Sequence, residues 1–134
     1  MEEITVQTAS ILEGFEIVPA KNAPAIRFDD QYRLYINVSA QRLLNVKPYD
    51  KLSLAYRPDT QEIALIKSGT HLGGKLQTEL STSIFPVDKR YYLHVKSFAK
   101  IYGLDEKDAP ITFVYDRGAS DGNIFIFKRT ASSL

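Results

Sequence analysis

The chain contains no cysteine, which removes disulfides, thiolate metal sites and cysteine nucleophiles from consideration. No apolar run approaches the roughly 18–20 residues that cross a bilayer as a helix, so no membrane partner is expected. The start, Met1-Glu2-Glu3, is acidic and lacks the positive charge and apolar stretch of a secretory signal. These absences together lead to the expectation of a cytoplasmic protein. Charge of one sign is scarce too. Seventeen Lys and Arg against sixteen Asp and Glu leave a formal net charge of +1, far from the excess that marks a nucleic-acid binder by itself.

Catalytic patterns are equally thin. The two histidines, His71 and His94, stand in separate segments with no recognisable partner, so no serine or threonine gains an obvious base. Gly69, Gly73 and Gly74 lack the lysine and hydroxyl residue that complete a phosphate loop. Asp29-Asp30 reads as a solvated turn. No catalytic residue, metal site or cofactor is assigned, and the chain is not expected to be an enzyme.

What is present is a repeat. Aligning Phe85 with Phe28 puts Arg90, Tyr92 and Val95 on Arg33, Tyr35 and Val38. One inserted residue later, Ser97, Lys100, Gly103, Leu104 and Asp108 fall on Ser39, Arg42, Asn45, Val46 and Asp50. Further on, Tyr115, Ile124, Ile126 and Lys128 fall on Tyr56, Ile63, Leu65 and Lys67. A unit of this size rarely buries a core alone, whereas two can complete each other in one domain. The division is an extension over 1–24, a first unit over 25–67, a linker over 68–81 and a second unit over 82–130. The extension carries one base and four acids. The first unit carries seven bases and five acids, the second eight and six.

Each unit reads strand, strand, short helix, strand, strand. Ala25 to Phe28 is apolar around one arginine, Asp29-Asp30-Gln31 is a turn, and Arg33 to Val38 alternates. Ser39 is the expected N-cap and Asn45 the left-handed stop, with Ser97 and Gly103 in those roles in the second unit. Asp50 and Asp108 are expected to cap turns. Leu52, Leu54 and Tyr56 alternate, as do Ile111, Phe113 and Tyr115, which puts Tyr56 and Tyr115 in the core or at a rim. Ile63 to Lys67 and Ile124 to Lys128 close the units with residues apolar on both faces, which need cover on both sides. A closed barrel made by interleaving the two halves supplies that cover and removes exposed edges. Residues 4–8 are expected to form a strand, 11–18 another apolar stretch, and the C-terminal residues to fray.

The run from Arg33 to Val46, with Asp50-Lys51-Leu52 and Ile63 to Lys67, resembles the AbrB/MazE/MraZ swapped-hairpin DNA-binding domain. Asp29-x-x-x-Arg33 is similar to the Asp-x-x-x-Arg motif of the MraZ branch, whose members carry two such units. The resemblance covers roughly 25–67 and, less closely, 82–129. The family's strand-to-helix proline is Asn37 here and His94 in the second unit, its helix leucine is Ala40, and Pro86 stands where the second motif's aspartate is expected.

The resemblance implies a mainly β, pseudo-twofold swapped-hairpin (double-psi-like) barrel of two tandem ββαββ repeats, each with one short helix. It also implies a double-stranded DNA partner and a role in transcription regulation. By position it assigns DNA contact to Arg27, Arg33 and Arg42 in the first unit. In the second unit it assigns Arg90 and Lys100, with Lys89 and Lys96 as near neighbours. Long cations on one face neutralise phosphates, and arginine forks read guanine edges. The rival is a protein-binding barrel, antitoxin-like or inhibitory, that keeps the fold without DNA. Either form is expected as a monomeric pseudo-dimer or as a homodimer through residues 1–24.

Overall fold

A computed structural model describes residues 10–16 and 23–130. Alternation decides which way its strands face. In β1 (Ala25–Phe28) and β2 (Arg33–Ile36), Ile26, Phe28, Leu34 and Ile36 point inward and are fully buried, while Arg27 is exposed and Arg33 and Tyr35 are half-buried. The remaining strands are β3 (Lys51–Arg57), β4 (Glu62–Lys67), β5 (Phe85–Pro86), β6 (Tyr92–His94), β7 (Ile111–Tyr115) and β8 (Ile124–Arg129). They join in the order β5-β3-β4-β8-β7-β1-β2-β6. Every pairing is antiparallel, and the sheet curls into a nearly closed barrel. Its interior holds Leu52, Ile63, Leu65, Leu93, Ile111, Phe113 and Phe127 with the residues above. Burying each of these large side chains contributes about 1.5–3 kcal/mol.

Exchanging β1 with β5, β2 with β6, β3 with β7 and β4 with β8 carries the ladders onto one another. Leu34 pairs with Leu93 at the centre of β2·β6, and Ala64 with Ile126 at the centre of β4·β8. The counterpart of the β1·β2 ladder is the incomplete one. Bonded pairs alternate along an antiparallel ladder. Asn37 donates its N–H to the Ala25 carbonyl (3.1 Å) and Asp29 donates to Arg33 (2.9 Å), so Arg27–Tyr35 lies midway at a bonded position. Asp88 donates to Tyr92 (3.0 Å) as Asp29 does to Arg33, which makes Pro86 the counterpart of Arg27. Proline has no N–H to give, and β5 and β6 close on little more than the Asp88–Tyr92 bond.

That register corrects the sequence alignment by two residues in the first hairpin. Tyr32 matches Tyr91, and both adopt positive φ, 58° and 68°, a costly conformation for a bulky residue. Arg33 matches Tyr92, and Asp29 matches Asp88 rather than Pro86. The second hairpin therefore keeps its polar turn.

Three helices lie within 23–130: α1 (Val38–Leu44), α2 (Gly74–Leu80) and α3 (Lys96–Tyr102). The N-cap of α1 is Asn37, not Ser39. Its Oδ1 accepts from the Ala40 N–H at 2.9 Å, and the same oxygen accepts from Ala25 N–H at 3.1 Å. Asn37 thus ties strand entry to helix start, where a proline would offer no side-chain acceptor. α3 follows Val95 without a side-chain cap, and Ser97 sits inside it. The expected stops hold: Asn45 and Gly103 are both left-handed, at φ 53° and 70°. So do the turn caps. Asp50 accepts from Lys47 N–H (2.8 Å) and Asp108 from Asp105 N–H (2.9 Å). Tyr56 and Tyr115 pack, half-buried, against the core.

The linker is more ordered than its glycines suggest. It contains α2, whose Leu80 carbonyl accepts from Ser53 Oγ (3.4 Å), and just beyond it Ser83 Oγ donates to the Leu54 carbonyl (2.9 Å) while accepting from Leu54 N–H (3.0 Å). No helix among the described residues is long and apolar enough to cross a membrane. The expected strand at 4–8 lies outside the described residues, and so does the end expected to fray, 130–134, except Thr130, which is not frayed: its N–H donates to the Thr112 carbonyl (3.0 Å).

Candidate nucleic-acid interface

Four neighbouring strands, β7, β1, β2 and β6, present their polar faces outward together. The register sets Thr112, Arg27, Tyr35 and Tyr92 in one row and Arg33 opposite His94 in the next. Tyr35 and Tyr92 meet with ring centroids 5.1 Å apart.

Arg33 is the most constrained cation on this face. Asp29 Oδ1 accepts from the N–H of Gln31 and of Arg33, both at 2.9 Å, which shapes the turn. Its Oδ2 takes Arg33 Nε at 2.8 Å. The guanidinium lies over the Tyr92 ring, 4.0 Å from the centroid, a stacked cation–π arrangement. Among the described residues neither Nη nitrogen of Arg33 takes a hydrogen bond. The Asp-x-x-x-Arg spacing therefore has a physical reading: one carboxylate makes the turn and aims the arginine that ends it. The result is a side chain 22 % exposed, fixed at its stem and open at its fork.

The second hairpin repeats the turn with other chemistry. Asp88 Oδ1 accepts from Arg90 N–H (2.8 Å) and Tyr92 N–H (3.0 Å), and Oδ2 meets His94 Nε2 at 2.9 Å. Burial pushes the Asp88 carboxyl up, but the Tyr92 N–H, the His94 side chain and the Arg90 N–H outweigh it and hold the group below its ordinary value. His94 thus has a partner that its sequence neighbours do not reveal.

The seven basic residues singled out from the sequence fall into four groups. Arg27 and Arg33 share the outer face just described. Lys96 follows Val95, whose N–H donates to the Tyr32 carbonyl (2.9 Å), so it stands beside the turn of Asp29. Lys89 and Arg90 lie in the other turn, which Tyr91 joins to β2 by accepting from Ile36 N–H (2.9 Å). Arg90 therefore matches Gln31 in position, not Arg33. Arg42 and Lys100 are exposed on α1 and α3. The residues that complete the face, Tyr35, Tyr92, Asp88 and His94, were not singled out for it. The signal for them was the repeated Asp-x-x-Tyr spacing, Asp29 to Tyr32 and Asp88 to Tyr91.

The molecule is defined to this point as an eight-stranded antiparallel barrel with a cation–aromatic outer face. Comparison with protein-family models, with curated proteins and with solved structures yields no match.

Proposed function

We propose that the chain is a DNA-binding transcriptional regulator of AbrB/MraZ type, a non-catalytic cytoplasmic protein whose two tandem ββαββ units form one swapped-hairpin barrel. The observation that carries this reading is Arg33: its Nε is held by Asp29, its guanidinium lies over Tyr92, and among the described residues its Nη groups donate no hydrogen bond. A guanidinium pre-aligned in this way suits bidentate contact with a guanine edge or a phosphate. Arg27 supports it from the same face, Lys89 and Arg90 from the turn of the second hairpin, and Lys96 from the start of α3 beside the first turn. Because Tyr92 stands where a second Arg33 would be, the two half-sites would be read differently, and an imperfect palindrome is the expected target.

The test is fluorescence anisotropy with duplex DNA at two salt concentrations. Affinity should fall as salt rises. Arg33→Ala should weaken binding roughly tenfold to a hundredfold, with only partial recovery in Arg33→Lys, because a good bidentate contact is worth about 1–3 kcal/mol. Duplex binding absent at low salt, or indifferent to Arg33, refutes it. The second reading, a protein-binding barrel, draws on the carboxylates of Asp29 and Asp88, which stand beside Arg33 and His94 and leave the face mixed in charge. Capture of a stoichiometric protein partner by a chain that ignores DNA would favour it.

A further inference from the structure

The start of β3 and the end of β4 line a cavity that the outer face does not use. It measures about 370 Å³, within the range of small-ligand pockets, for which the mouths of β-barrels are a favoured place. Val46 and Leu52, both buried, supply its apolar part. Lys67 ends β4 and pairs with Leu52, and Lys51 opens β3 one residue earlier, so the register brings both lysines to the lining. Neither meets a carboxylate: the ion pairs among the described residues are Arg33–Asp29, Arg57–Glu62 and His94–Asp88. Asp50 also lines the cavity, but its carboxylate is engaged by its own turn, accepting from Lys47 N–H at 2.8 Å. The barrel itself does not require a lysine at position 51. In the exchanged half Thr112 takes that place, pairing with Arg27 as Lys51 pairs with Pro86.

Tyr49 completes the lining in a conformation that its packing does not explain. Its φ is 75°, a region that glycine enters freely and a bulky side chain enters at a cost. Its N–H donates to the Val87 carbonyl at 2.6 Å, a bond that glycine would make equally well. Tyr32 and Tyr91 share the positive φ, but both pack against the core. Tyr49 does not, and it is 70 % exposed. Backbone strain held in place by its surroundings clusters at binding sites. Here the strained tyrosine shares a cavity with two unpaired ammonium groups.

We propose that this cavity binds one purine nucleoside monophosphate per chain, with the phosphate between Lys51 and Lys67 and the base stacked on Tyr49. Lysines hold phosphate as compact point charges, and an exposed tyrosine is a platform for a planar base. A bare anion would leave the ring unused, and an uncharged ring would leave the lysines unused. A nucleotide engages both. The site is separate from the Arg33 face and does not rest on DNA binding.

Isothermal titration calorimetry of the full chain with adenosine monophosphate and guanosine monophosphate tests this. At least one of them should bind at one site per chain, less tightly in high salt. The matching nucleoside, without phosphate, and inorganic phosphate, without base, should each bind more weakly by roughly tenfold or more. Lys51→Ala combined with Lys67→Ala should weaken the nucleotide by a similar factor, with the fold checked by circular dichroism. Tyr49→Gly separates binding from folding. Its urea midpoint should hold or rise, because glycine takes this φ without strain, while nucleotide affinity falls roughly tenfold or more. Arg33→Ala should leave nucleotide binding unchanged, so failure here is distinct from failure to bind DNA. The proposal is overturned if neither nucleotide binds at millimolar concentration, or if the nucleotide binds no tighter than its nucleoside or inorganic phosphate. Variants that bind as wild type does, or a clear fall in the Tyr49→Gly midpoint, which would give the ring to the fold, overturn it equally.

Discussion

Replacing Asp88 with alanine tests the register on which the outer face depends. If Pro86 stood in the place of Asp29, Asp88 would be an ordinary turn residue, and its loss would cost within about 0.5 kcal/mol. The hydrogen bonds assign it more. Its carboxylate accepts from two backbone N–H groups, and a bond to a charged acceptor contributes about 1.5–3 kcal/mol. The Arg90 N–H is exposed and rehydrates when the acceptor goes, so its share is small. The Tyr92 N–H is partly buried and accounts for most of about 1.5 kcal/mol. The His94 pair, with side chains 64 % and 33 % exposed, adds at most a few tenths after solvent screening. The expected loss is therefore about 2 kcal/mol in urea unfolding at neutral pH, with unchanged m-value and with Asp29→Ala as its match. Asp88→Asn, which keeps an acceptor, should lose about half as much. The pH dependence has a definite sign. A carboxyl held lower in the folded than in the unfolded state stabilises above its unfolded pKa, and the contribution disappears as pH falls through the folded one. The gap between wild type and Asp88→Ala should be constant down to about pH 5 and shrink below about pH 4. A gap under about 0.5 kcal/mol beside a costly Asp29→Ala would refute the register.

Two other measurements probe separate parts of the barrel. Arg27→Pro should give β1·β2 the break that Pro86 imposes on β5·β6, at a cost of about 2 kcal/mol or more in urea unfolding. A neutral outcome would mean that the ladder bond at Arg27–Tyr35 is not made. Burial, with Tyr102 adjacent, holds the Tyr56 phenol above its ordinary value against the pull of Arg129 and Gln61. The unfolded chain then releases that proton first, so stability should fall as pH rises past about 10, and Tyr56→Phe should flatten the fall in denaturation series at alkaline pH.

Local chemistry was legible in the sequence where it acts over a few residues. Alternation located the strands from Ala25 onward, and Asn45, Gly103, Asp50 and Asp108 announced their stops and caps because each needs only its own neighbours. Register was not legible in the same way, because it depends on a strand many residues distant. Phe28 with Phe85 and Arg33 with Arg90 are attractive identities. The positions under constraint are instead Tyr32 with Tyr91, at the two positive-φ turns, and Leu34 with Leu93, at the centre of β2·β6. Slipping by two residues keeps every side chain on its proper face, so the apolar pattern raises no objection to the error. α2 was hidden for another reason. Gly73 and Gly74 read as flexible, yet both take positive φ at the entry to the helix. On the candidate face, Arg27 and Arg33 were visible as charges. The Tyr92 platform exists only once β6 lies against β2, and the Asp88–His94 pair only once the second hairpin has turned back on itself.

Four of the seven ladders join residues 25–67 to residues 85–129. Neither stretch owns an interior of its own, so there is no surface along which they part. Separating them means dissolving the sheet, and the molecule should lose both at once in a single transition. The covalent thread between them matters most before the weave is complete, when it keeps the correct partner close at hand. Once the strands have interlocked, a cut at Gly69 would leave a molecule in two chains that still behaves as one.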